Sequence, residues 1–279
     1  MQVLLLGGHG KVALHLTPLL LARAWNVTSV IRNPDHEPEI LALAKGQAIK
    51  GKLDVLVSSL DDIKSESDAT KILNATNPDY VVWSAGAGGK GGPARTMAID
   101  ADAAKHFISA SFAHPRVSKF LLVSWLGSRR TKPSWFTDKD WASSQNVFNN
   151  VLPTYAKAKL EADEYLTARA AVRAEQVASG NAQASPFQAI CLRPGTLSDD
   201  PAVGKVALGK TVAEGKVTRE DVARVADGLL ASEKASGWFD LLDGEEEIGQ
   251  AVERVVREGF DAVEGEDVEG MVKRFKLDS

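Results

Sequence analysis

Val3-Leu4-Leu5-Leu6-Gly7-Gly8-His9-Gly10-Lys11-Val12-Ala13 is an apolar run that breaks on glycines and resumes with helical spacing through Val12, Leu16, Leu19 and Leu20. A short apolar run that ends on glycine reads as a buried strand, and the amphipathic continuation reads as a helix. Val27-Thr28-Ser29-Val30-Ile31 then follows at the interval that a βαβ crossover requires. Gly7 suits the tight turn after the strand, Gly10 admits a pyrophosphate close to the backbone, and Ala13 permits close packing of helix on strand. The helix N-terminus would face the phosphate charge with its N–H groups. The stretch therefore predicts a dinucleotide site. Gly-x-x-Gly-x-x-Ala by itself also fits a glycine turn with no ligand.

Further apolar runs at Leu53–Val57, Tyr80–Trp83, Phe120–Ser124 and Ala189–Leu192 alternate with helix-patterned segments. That alternation predicts an α/β fold: a Rossmann-type, doubly wound parallel sheet with helices on both faces and ligands outside the carboxyl ends of the strands. No linker divides the 279 residues, so one domain over 1–279 is expected. The rhythm fails at about 128–152, where Trp135, Phe136, Trp141 and Phe148 stud a polar insertion. It reads either as a surface loop anchored by its aromatics or as a lid over a substrate pocket. From about 194 to 279 a small substrate-side cap is expected. In it, 196–218 read as loop and short elements, a helix runs from Arg219 to about Ser232, a strand lies near Trp238–Leu242, and two packing helices follow.

The net charge of −4 offers no basic field of the kind that nucleic-acid binders use. No stretch approaches the roughly 20 apolar residues of a membrane helix. The N-terminal apolar run has no basic leader and ends in glycines, so it reads as a strand rather than a signal. The single Cys191, in an apolar strand, reads as a buried inert thiol and suits a reducing compartment. A cytoplasmic protein with a small-molecule substrate, no nucleic-acid partner and no membrane partner is expected. His9, His15, His36, His106 and His114 show no metal-ligand spacing.

Arg32-Asn33-Pro34 follows the second strand, where an acidic residue would serve the ribose of NAD; Arg32 instead suits the 2′-phosphate of NADP(H), or reads as a solvated arginine at a strand end. Ser59 and Leu60 after the third strand, and Ser84, Ala85 and Gly86 after the fourth, are turns at the same edge. With Gly7, Gly8, His9, Gly10, Lys11 and Val12 they form the predicted cofactor contacts. The fourth turn continues into Gly88 and Gly89. Asp61 and Asp62 read as cap or surface carboxylates, because acids aimed at phosphate would repel it. His9 reads either as a diphosphate contact or as a solvent-facing ring. Tyr155 and Lys159 lie four residues apart, on one face of a helix. An ammonium beside a phenol lowers its pKa, so the pair can hand a proton to a carbonyl oxygen, and Lys159 can hold ribose hydroxyls.

With these motifs in this order, the chain resembles the short-chain dehydrogenase/reductase superfamily, in its atypical NAD(P)H-binding, NmrA-like branch. The resemblance also rests on Val123-Ser124-Trp125-Leu126-Gly127, Cys191-Leu192-Arg193-Pro194-Gly195 and Arg219-Glu220-Asp221-Val222-Ala223. It implies Tyr155 as proton donor, Lys159 as its ribose-holding partner, and Pro194 and Gly195 beside the nicotinamide. It implies Ser124 as the third catalytic group, although the second place of the family's Ser-Ser pair is here Trp125, which also reads as a flat wall for a planar substrate. The family's aspartate after the third strand is here Ser59. A homodimer through the Tyr155 helix and a monomer both remain open. The expected activity is NADPH-dependent reduction of a carbonyl, quinone or similar electrophile. The alternatives are a non-enzymatic NADP(H) redox sensor and a cofactor-retaining isomerase or epimerase.

Overall fold

β1 (Gln2–Leu6) is fully buried from Val3 onward, as the central strand of a sheet covered on both faces must be. The computed structural model describes residues 1–46, 49–87 and 91–277. After β1 come α1 (Lys11–Ala22), β2 (Asn26–Ile31), α2 (Glu37–Ala42), β3 (Leu53–Val57), α3 (Glu66–Thr76), β4 (Tyr80–Trp83), α4 (Gly92–Thr96), α5 (Ala104–Ala113) and β5 (Lys119–Val123). The chain continues through α6 (Asp138–Asn146), α7 (Pro153–Ala178), β6 (Gln188–Pro194), β7 (Thr196–Ser198), β8 (Lys205–Gly209) and β9 (Lys216–Thr218). It ends with α8 (Arg219–Ala231), β10 (Gly237–Asp243), β11 (Glu246–Glu247), α9 (Ile248–Glu258) and α10 (Val268–Arg274).

The main sheet has the order β11-β8-β10-β6-β5-β4-β1-β2-β3. It is parallel except where β8 pairs with β10 and β11. Successive residues of β1 feed opposite faces. Val3 and Leu5 join a core with Leu16 and Leu20 of α1 and Val222 and Leu229 of α8. Leu4 and Leu6 join the other, with Leu73, Phe107 and Leu166. Strand order reverses between β1 and β4, and that is where a doubly wound sheet opens its ligand crevice.

Two segments differ from their sequence reading. Within 196–218, β8 is a strand of the main sheet, and β7 and β9 form a separate two-stranded sheet. The insertion is mostly helical. Thr137 and Asp140 form a reciprocal capping box that starts α6, and a π-helical stretch, Val147–Val151, carries it into α7. Its aromatics pack inward: Phe136 is buried with Leu126 and Leu242, and Trp135 Nε1 donates to the Thr211 carbonyl at 3.0 Å. Sequence patterning missed both because the β8 run is short and the insertion's apolar residues are spaced for tertiary contacts.

Candidate active site

The glycine loop sits at the switch point. Gly7 has φ +82°, and a side chain there would strike the backbone of Ala85 at 2.7 Å, so the turn after β1 admits only glycine. Gly8 turns toward β2: a Cβ would meet Ser29 Oγ at 1.8 Å, and its N–H donates to the Val30 carbonyl. Gly10 packs under the Gly7 and Ser84 carbonyls and precedes α1 without a side-chain cap or an acidic first turn. The loop thus leaves α1 with an uncapped N-terminus beside a narrow glycine cradle, which fits a diphosphate.

A cavity of about 240 Å³ opens on one side of this loop, lined by Gly7, His9 and Gly10, by Arg32, Asn33 and His36 after β2, and by Ser58, Leu60, Asp61 and Arg95. Arg95 grips Asp61 with two hydrogen bonds of 2.7 and 2.8 Å, and Arg32 approaches the same carboxylate at 3.5 Å. Chiefly through Arg95, the Asp61 pKa is lowered to about 2. Asp61 is thus a paired carboxylate of the cavity wall rather than only a cap or surface group. Its two arginines explain why an acid is tolerated at an anion-binding edge. Ser59 does not line the cavity; its Oγ accepts from Asp61 N and fixes that turn. The His9 ring stacks on His36 with centroids 3.5 Å apart, and its Nε2 lies 2.8 Å from Glu39 Oε2, which orients it along the wall.

A second cavity of about 240 Å³ shares Gly10, Ser84, Ala85 and Gly86 with the first and runs to Val123, Ser124, Tyr155 and Lys159. The two cavities adjoin at the glycine loop and the turn after β4, an arrangement that fits the two halves of a dinucleotide. A π-helical stretch, Met97–Ala103, between α4 and α5 carries Asp100, which is 2% exposed. One Asp100 oxygen accepts from Ala87 N at 2.8 Å, and the other lies 3.4 Å from Lys159 Nζ. Lys159 also donates to the Val123 carbonyl at 3.2 Å. Burial disfavours its charge, but Asp100, Tyr155 and Asp163 outweigh that and raise its pKa.

Tyr155 lies on the same face of α7, with Lys159 Nζ 5.7 Å from its ring centre and Trp125 at 6.2 Å between centroids. Its pKa stands above the ordinary tyrosine value. Burial dominates, Lys159 pulls the other way, and Asp100 and Asp163 add to the rise. The expected depression by Lys159 is therefore outweighed by desolvation. Ser124 lines the cavity, and its buried Oγ makes no hydrogen bond of good geometry among the described residues. Trp125 folds instead over Gly127, where a Cβ would meet its ring at 2.2 Å.

Beneath the serine lies a buried ionic network. Arg193 donates to Asp163 at 2.7 Å, to Asp240 at 2.9 Å and to the Leu126 and Ser128 carbonyls, and it stacks on Trp238 at 3.9 Å. Arg129 adds a bond to Asp240 at 2.8 Å and one to the Ala262 carbonyl at 2.7 Å. Burial pushes the Asp163 carboxyl up against the pull of Arg193, Ser124 and Ser128. This network ties the loop after β5 to α7 and β10.

Of the residues expected from sequence, Gly7, His9, Gly10, Arg32, Leu60, Ser84, Ala85 and Gly86 line the first cavity. Lys11, Val12, Ser124, Tyr155 and Lys159 line the second. Gly8, Ser59, Pro194 and Gly195 line neither; Gly195 packs against Leu242 and the Gly215 carbonyl. Gly88 and Gly89 lie outside the described residues. Arg95 and Asp100 line the cavities unannounced by any motif, Asp61 does so although it reads from sequence as a cap or surface carboxylate, and Arg219 stands in a quoted motif that carried no site role. The signal for Asp100 was an acid in the apolar stretch Ala98-Ile99-Asp100-Ala101. Cys191 is buried, which pushes its thiol pKa well up. Among the described residues no cluster of His, Cys, Asp or Glu is placed to hold a metal, and no helix is long and apolar enough to cross a membrane.

Comparison with known proteins agrees with this geometry. The chain is 30% identical over 257 residues to a UPF0659 protein of Schizosaccharomyces pombe, covering 91% of this chain and 94% of that one. It is 26% identical over 257 residues to an uncharacterized sugar epimerase of Bacillus subtilis, covering 91% and 100%. A Bacillus halodurans structure, provisionally assigned as an NAD-dependent epimerase/dehydratase, superposes with a TM-score of 0.69 at 27% identity, covering 91% and 99%. The model of the NAD(P)H-binding family matches residues 7–233. With the glycine cradle at the switch point of a doubly wound sheet, this chain belongs to that NAD(P)H-binding family, in the atypical branch of the short-chain dehydrogenase/reductases.

Proposed function

We propose that this protein is an NADPH-dependent oxidoreductase that reduces a carbonyl or similar small electrophile. The observation that carries the reading is the convergence of Tyr155, Lys159 and Ser124 on a cavity continuous with the glycine loop. When bound, a reduced nicotinamide supplies a hydride to the carbonyl carbon. The Tyr155 hydroxyl gives its proton to the carbonyl oxygen, so an alcohol leaves. Burial keeps that proton on Tyr155 across the neutral range. Lys159, charged and fixed by Asp100 and the Val123 carbonyl, stabilises negative charge as it grows on the phenol. Ser124 Oγ lies beside the Asp163 carboxyl at the cavity wall, where its hydroxyl can turn to the substrate oxygen. The test is NADPH oxidation against a panel of quinones, dicarbonyls and aldehydes; loss of one NADPH for each alcohol or hydroquinone formed is the expected result.

The preference for NADP(H) rests on Arg32, whose side chain is 61% exposed and only loosely paired with Asp61. A 2′-phosphate there would receive charge-assisted bonds, so Arg32→Met should raise the Kd for NADPH about tenfold while the NADH value changes less than about twofold. Fluorescence titration of both cofactors checks this; equal weakening of the two would remove Arg32 from 2′-phosphate recognition.

A second reading is a cofactor-retaining epimerase, favoured by the names that the Bacillus subtilis and Bacillus halodurans relatives carry. It predicts a nicotinamide dinucleotide that copurifies with the protein and no net NADPH consumption with any carbonyl.

A further inference from the structure

Two cations flank one carboxylate at the rim of the Tyr155-side cavity. Arg219, the first residue of α8, donates through Nη1 to Asp199 at 2.7 Å and to the Leu197 carbonyl at 3.4 Å. Lys11, the first residue of α1, pairs with the other oxygen of Asp199. Arg219 and Lys11 line the cavity with Tyr155, Lys159 and Ser124. Asp199 is 54% exposed, whereas the Arg219 side chain is 26% exposed. Deeper in, Lys159 is answered by Asp100, so the rim holds one positive charge in excess.

Arg219 is held there by a rigid base. β9 pairs with β7, and the Thr218 side chain caps α8 by accepting from Asp221 N. The fully buried Asp221 carboxylate accepts from the Thr218 hydroxyl, Val203 N and Gly204 N. This framework fixes the Arg219 backbone and leaves its guanidinium with a solvent-exposed acid as its only ionic partner among the described residues. Asp199 is held below the usual carboxylate range, chiefly by Lys11 and, against slight burial, by Arg219.

We infer that Arg219, with Lys11 beside it, is the specificity-determining contact for a substrate that carries a carboxylate or phosphate near its reacting carbonyl, the anion displacing Asp199. The fork of a guanidinium matches the two oxygens of such an anion, and the lysine adds a point charge. Asp199 keeps the cations from standing unpaired when no substrate is present. The inference rests on reading the Tyr155-side cavity as the substrate site. Arg219 belongs to α8 rather than to the glycine loop, so substrate and cofactor affinity are separable by mutation.

The experiment measures calorimetric binding to the wild type, Arg219→Gln and Asp199→Asn, each saturated with NADP+. The probes are matched: phenylglyoxylate against its methyl ester, and dihydroxyacetone phosphate against dihydroxyacetone. The wild type is expected to bind at least one anion about tenfold tighter than its neutral partner, a preference that Arg219→Gln loses and Asp199→Asn strengthens. NADP+ affinity should be the same in the wild type and Arg219→Gln. Absence of any anion preference in the wild type, or its survival in Arg219→Gln, overturns the inference while leaving the dinucleotide site intact. Weakened NADP+ binding in Arg219→Gln assigns the residue to the cofactor and likewise overturns it. If the wild type binds no NADP+, the reading of the site itself fails, which the cofactor titration reveals first.

Discussion

Tyr155→Phe is expected to lower the rate of NADPH-dependent carbonyl reduction roughly 10²- to 10⁴-fold, the usual contribution of a positioned general acid. The ring stays, with its packing against Trp125, and only the hydroxyl is lost. NADPH affinity should therefore hold, because the glycine loop and Lys159 are untouched. The pH profile carries a second signature. The phenol's pKa is raised by burial, so its acidic form persists through neutral pH, and the reductive rate should fall only as pH rises into the alkaline range. Stopped-flow measurement of the hydride-transfer step with native and Tyr155→Phe protein checks both. A variant with native rate would take Tyr155 out of the chemistry.

Much of the fold was legible because strands buried on both faces leave a strong mark. Val3–Leu6, Tyr80–Trp83 and Leu121–Val123 are near-continuous apolar runs, and each falls in the sheet where its pattern put it. Gly7 was legible for a related reason. Only glycine takes its positive φ while lying against Ala85, so the residue type encodes the backbone. The C-terminal third was harder to read. β8 pairs antiparallel with β10 at the sheet's edge, and its five residues alternate in burial too briefly to distinguish a strand from a loop.

The placement of the candidate site residues was legible where sequence spacing alone sets it and obscure where it depends on packing. Tyr155 and Lys159 share a helix face by spacing alone, and Arg32 follows its strand directly. Asp100, which reaches Lys159, lies in a π-helical stretch, a local change of winding that no residue spacing predicts. The sign of the Tyr155 shift was misread for the same kind of reason. Spacing reveals the lysine, but desolvation belongs to the folded state and is the larger effect. Asp61 and Arg95 are 34 residues apart, and their pairing exists only once β3 and β4 deliver both to one cavity.

Arg193→Met should destabilise the protein by about 3–5 kcal/mol, because breaking a buried ion pair strands the charge left behind. For a chain of this size that amounts to a fall in Tm on the order of 10 °C, readable by calorimetry. The two carboxylates do not suffer equally. Asp240 keeps Arg129 at 2.8 Å, whereas Asp163 is left with the Ser124 and Ser128 hydroxyls and a distant Lys159. Burial already raises the Asp163 pKa, and removal of its largest opposing partner raises it further. A carboxyl whose pKa is higher in the folded than in the unfolded state costs stability as pH rises through that range. The deficit of Arg193→Met should therefore be smallest in mild acid and grow toward neutral pH. Asp163→Asn placed in the Arg193→Met background removes the stranded charge and should recover part of the loss at neutral pH, a non-additivity that a double-mutant cycle measures. Full additivity of the two substitutions would show that Arg193 acts through Asp240 and its bonds to the Leu126 and Ser128 carbonyls instead. In either case the loop that presents Ser124 and Trp125 is anchored by a cation that never touches the cavity, which explains how Arg193 can stand in a motif beside the site and yet be wholly buried beneath it.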